Sequence, residues 1–115
     1  MWAALLNLHM GKIIDISSKL VNEPKFLQVA EGKTYKVDDR KNTVLKMNEL
    51  LDGGSASAHA IDKAIKLGLG EKAFKEIEAM DLSITAYQSL FIGMMALMMD
   101  KSYEDMNKTF RSSTE

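Results

Sequence analysis

Few side chains in this sequence are equipped for chemistry: the adjacent carboxylates Asp38-Asp39, the imidazoles His9 and His59, the lysines Lys63, Lys66, Lys72 and Lys75, and the glycines of Gly68-Leu69-Gly70. Paired carboxylates can share general-acid and general-base work. Asp38-Asp39, however, stand just before an apolar-periodic segment, where their oxygens read as N-capping acceptors and helix-dipole partners. His59 lies among alanines, with no carboxylate or serine placed to make it a base. Two isolated histidines cannot build a metal cage, and the chain has no cysteine, which also excludes disulfides and thiolate nucleophiles. Gly68-Leu69-Gly70 lacks the third glycine and the preceding strand of a nucleotide fingerprint and reads as a corner. The lysines interleave with Glu71, Glu76 and Glu78, as on a solvated face. No catalytic, cofactor or metal site is expected, and an enzyme with a cryptic acid site is the weakest reading.

Binding chemistry is better represented. Met94, Met95, Met98 and Met99, from a total of nine methionines, follow Leu90-Phe91-Ile92 in a stretch, Leu82 to Met99, that carries no charge. Methionine is unbranched and polarizable, so it suits irregular or changing neighbours. The simpler reading is that most of these side chains fill the core. An uncharged helix is apolar all round, though, and a small domain has difficulty enclosing one. Positions 91, 95, 98 and 99 share one helical face, so Phe91, Met95, Met98 and Met99, joined by Phe110, form the expected partner-binding ridge.

These residues must be held by a single unit, since 115 residues suit one domain. Fifteen Lys+Arg against sixteen Asp+Glu leave a net charge of −1, so no basic field attracts nucleic acid or anionic lipid. Residues 1–10 are mostly apolar, include Trp2, and lack the basic start of a secretory signal. Met10-Gly11 could open a reading frame and His9-Met10 is a common cloning remnant, so these residues read as a leader or vector-derived segment. The domain is expected over 11–111, with 112–115 a frayed tail.

Lys12 to Ile16 is β-branched and predicts a strand, with a connector through Pro24. Phe26–Ala30 and Thr34–Val37 predict a hairpin turning at Glu31-Gly32-Lys33, with Tyr35 and Val37 on one face. Helices follow over about 40–51, ended by Gly53-Gly54, and from a Ser57 cap with an Ile61, Ala64, Ile65 and Leu67 stripe interrupted at Gly68 and Gly70. Further helices are expected over Glu71 to Met80, Leu82 to Met99 and Tyr103 to Arg111. The polar Ser83, Thr85, Gln88 and Ser89, and flanks without basic bias, favour a buried or partner-facing helix over a membrane span. The fold class is α+β, a small N-terminal antiparallel sheet followed by four to five packed helices.

The runs Lys33-Thr34-Tyr35-Lys36-Val37-Asp38, Asn42-Thr43-Val44-Leu45-Lys46 and Leu67-Gly68-Leu69-Gly70-Glu71-Lys72-Ala73, with the downstream uncharged helix, resemble the tail assembly chaperones of long-tailed bacteriophages and prophages of Gram-positive bacteria. The similarity covers roughly Gly11 to Phe110 and rests on packing and turn patterns. It implies a non-enzymatic protein, encoded between the major tail protein and the tape measure protein. Such a protein coats the tape measure in the host cytoplasm, helps tail-tube subunits polymerise, and is absent from the finished virion. It also implies a longer frameshifted product whose added domain recruits the major tail protein, this chain being the short form. Self-association is expected, because covering a long partner takes many copies. Without the resemblance, the residues suit a small homo-oligomeric adaptor or regulatory domain that binds a protein or peptide.

Overall fold

The hairpin is tight because Gly32, at φ +73°, takes a left-handed conformation between strands β1 (Lys25–Ala30) and β2 (Lys33–Val37). Lys25 pairs with Val37, Leu27 with Tyr35 and Ala30 with Lys33, with an irregularity between Gln28 and Ala30. The computed structural model describes residues 11–52 and 57–114. Five helices follow the hairpin: α1 (Lys41–Leu50), α2 (Ala58–Leu69), α3 (Glu71–Ala79), α4 (Ile84–Met98) and α5 (Tyr103–Thr114). The architecture is α+β, with the alternation of β2 turning Tyr35 and Val37 inward and leaving Thr34 and Lys36 exposed.

Three serines start helices by accepting a backbone N–H: Ser57 Oγ from Ala60 at 3.2 Å, Ser83 Oγ from Ala86 at 3.1 Å and Ser102 Oγ from Asp105 at 3.1 Å. Asp38-Asp39 work differently from the expected caps. The N-cap of α1 is Arg40, which has no side-chain cap bond. Asp38 organises the entry from outside, accepting from the Arg40 backbone N–H and from Thr43 Oγ1, while Asp39 pairs with Lys25 at 3.0 Å. Lys25 Nζ also donates to the Leu97 carbonyl near the end of α4, a favourable place for a cation.

Three boundaries depart from expectation. Lys12–Ile16 forms no strand: it is irregular chain leading into a 3₁₀ turn, Ser17–Lys19, because β-branched composition makes a strand only where another strand is available to pair. Gly68 does not interrupt α2 but lies inside it, buried; the corner is Gly70 alone, at φ +97°. Helix α5 runs on to Thr114, past the expected end at Arg111 and into the segment read as frayed. The leader at 1–10, the Gly53-Gly54 stop and Glu115 lie outside the described residues.

The core gathers Val37, Met47, Ile61, Ile65, Ile77, Ile92 and Met94, all almost wholly enclosed. Helix α4 sits at its centre, packed by the hairpin, α2 and α5. Its neighbours come close because small residues stand at the contacts: a methyl placed on Gly93 would lie 3.0 Å from Leu27 Cδ1. Among the described residues, no helix is long and apolar enough to cross a membrane.

Candidate partner-binding surface

The expected ridge is gathered on one side of α4 but faces inward. Phe91, Met95, Met98 and Phe110 are 4%, 4%, 6% and 9% exposed. The Phe91 and Phe110 rings meet edge to face with centroids 5.7 Å apart, which is how α5 covers α4. Met99, at the α4 C-cap, is the one member that remains half-exposed. The assumption that so small a domain leaves an apolar helix partly bare fails for a specific reason. The second half of α4 is covered by the hairpin, α2 and α5, while the half that reaches the surface, Ile84 to Ala86 with Ser89, is partly polar. Phe91, Met95, Met98 and Phe110 therefore present no open ridge in the single chain.

The apolar surface lies elsewhere. Every residue from Gly11 to Pro24 is exposed, including Ile13, Ile14, Ile16, Leu20 and Val21, at 48–74%. Beside this arm, on the outer face of β1, Phe26 is 54% exposed. Scattered exposed apolar residues are normal, but five large ones exposed between positions 13 and 21, interspersed with Asp15, Ser17, Ser18 and Lys19, are a concentration that suits a contact surface. The signal in the sequence was the β-branched Lys12–Ile16 run, whose partnerless state composition alone does not reveal.

The root of the arm, Asn22–Pro24, walls an open groove of about 570 Å³ together with the turn Lys36–Arg40 and the corner Leu67–Gly70. Asp38 dominates its electrostatics, accepting from Arg40 Nε and Nη2, each at 3.0 Å, and from Thr43 Oγ1 at 2.8 Å. The Arg40 hydrogen bonds hold the Asp38 carboxyl well below the usual carboxylate range, and Thr43 reinforces them against partial burial. A carboxylate fixed in its ionised form is a poor proton shuttle near neutral pH.

Two tyrosines tie elements together. Tyr35 Oη donates to Glu76 Oε1 at 2.8 Å, joining β2 to α3, and Tyr87 Oη donates to the Asp62 carboxylate, joining α4 to α2. Burial, then the Asp62 contact, pushes the Tyr87 hydroxyl pKa upward. Lys66 sits 4.7 Å from the centre of the Phe74 ring, and Lys63, Lys72 and Lys75 are exposed, as a solvated face requires. His59 is exposed on the first turn of α2. Among the described residues no three His, Cys, Asp or Glu side chains gather in a way that could hold a metal. Compared with known proteins, the chain matches no family model, no curated protein and no solved structure.

Proposed function

We propose that this chain is a non-enzymatic tail assembly chaperone of a long-tailed bacteriophage or prophage, which self-associates, binds the tape measure protein in the host cytoplasm and assists tail-tube polymerisation. The observation that carries the reading is the exposed apolar arm, Gly11 to Pro24, set on a domain whose core is otherwise well enclosed. A long, helical tape measure without its tube exposes apolar stripes that need temporary cover, and an adaptable apolar segment can supply it. The resemblance across Lys33–Asp38, Asn42–Lys46 and Leu67–Ala73 supplies the identity of the partner. The major tail protein would be engaged mainly through a longer frameshifted form. Buried Phe91, Met95, Met98 and Phe110 hold the fold in this reading, leaving Met99 as the ridge residue available for contact.

The test is co-expression with the tape measure protein. The tape measure protein should remain in solution and co-elute with this chain. Equal aggregation of the tape measure protein with and without it would contradict the reading.

A further inference from the structure

The arm and the hairpin are complementary parts that the fold leaves apart. Lys12–Ile16 is exposed and rich in β-branched side chains, yet belongs to no strand. Among the described residues the hairpin is a two-stranded sheet in which each strand has one unpaired edge, and two strands are fewer than a sheet usually needs for stability. The arm makes no ladder with its own sheet: it turns at Ser17–Lys19, where the Ser17 N–H donates to Asp15 Oδ1 at 3.0 Å, and Pro24 stands just ahead of β1. Both strands are tied to helices by side chains, β1 through Lys25 to the Leu97 carbonyl and β2 through Tyr35 to Glu76. The chain leaving β2 is also held by a backbone bond, the Asp38 N–H donating to the Gly68 carbonyl at 2.9 Å, which leaves β1 the freer edge.

We propose that the arm of one copy adds as a strand to the β1 edge of a second copy, and reciprocally, forming a two-fold dimer. Side-chain chemistry fits this occupant. Placing Ile13 beside Phe26 makes an aromatic and β-branched cross-strand pair and covers the exposed ring, while Ile14 and Ile16 turn to the other face, beside Leu27. The reciprocal pairing engages the five residues Lys12–Ile16 and the six of β1 on each partner, so the contact is small and fits a weak, reversible dimer. A net charge of −1 per copy opposes the contact little. Because the exchange is reciprocal about a two-fold axis, it closes at two copies and leaves no growing end.

The proposal rests on the self-association stated above, and two measurements separate the two ideas. Ile14→Asp with Ile16→Asp alters only exposed positions, so it should keep the helical circular dichroism and melting curve while weakening dimerisation about a hundredfold or more in sedimentation. Since the chain has no cysteine, Ile13→Cys protein mixed with Phe26→Cys protein should give a disulfide-linked pair, and Ile13→Cys mixed with Lys75→Cys protein should not. A wild-type chain that associates as well as the double variant, or links equally to position 75, would overturn the arm exchange and leave self-association standing. A wild-type chain that stays monomeric throughout would overturn both.

Discussion

Gly68 of α2 and Met94 of α4 meet so closely that a methyl on Gly68 would lie 2.5 Å from the Met94 sulfur. Met94 is fully buried, so its flexible tip could make room for a methyl at position 68 only by repacking inside the core. Gly68→Ala improves helix propensity by about 1 kcal/mol, but overpacking costs roughly 1–3 kcal/mol and should win. Denaturant titration is expected to show a net loss of stability. Combining it with Met94→Ala should cost less than the sum of the two single changes, because the second removes the clash created by the first.

The ring contact between Phe91 and Phe110 should behave as core. Phe91→Ala is expected to lower stability by about 3–5 kcal/mol, enough to melt much of a small domain. Met98→Lys should unfold the chain by burying an unpaired charge, whereas Met99→Glu, at a half-exposed C-cap, should leave it folded. Thermal melting monitored by circular dichroism checks all three.

Asp38 sets a pH dependence with a definite sign. Its folded-state pKa is depressed by Arg40, so its contribution is fully present above the unfolded carboxylate value of about 3.9 and is lost as pH falls through the depressed value. Asp38→Asn should lower stability at neutral pH by about 1 kcal/mol, near 4–8 °C in Tm, and flatten the loss of stability on acidification. A variant melting like wild type at pH 7 and below would remove Asp38 from the account.

Tyr87→Phe tests the tie between α4 and α2. Removing the hydroxyl leaves the half-buried Asp62 carboxylate without this donor, and a loss of about 1.5–3 kcal/mol is expected, as for hydrogen bonds to charged groups. Urea unfolding of the variant gives the number.

The hairpin and the helices were legible in the sequence wherever a local signal existed. The alternation at Tyr35 and Val37, the glycine turn at Gly32, and the serine cap at Ser57 all act within a few residues of themselves. The fates of Lys12–Ile16, Gly68 and the Phe91/Met95/Met98 ridge depend instead on distant neighbours. A strand needs an edge, a helix glycine needs a facing side chain such as Met94, and an apolar ridge is open only if nothing like Phe110 covers it. The i, i+4, i+7 spacing did place the ridge on one face, but spacing cannot tell which face looks inward.

In the proposed function the contact surface of this protein is the arm, and the methionine-rich half of α4 serves as core. Hydrogen–deuterium exchange of the wild-type chain across a range of concentrations tests it most directly. Amides of residues 12–21 should exchange fast when dilute and become protected as concentration rises, while Leu90 to Met98 stay protected at every concentration. Protection that grows with concentration along Leu90 to Met98, while the arm stays fast throughout, would contradict it.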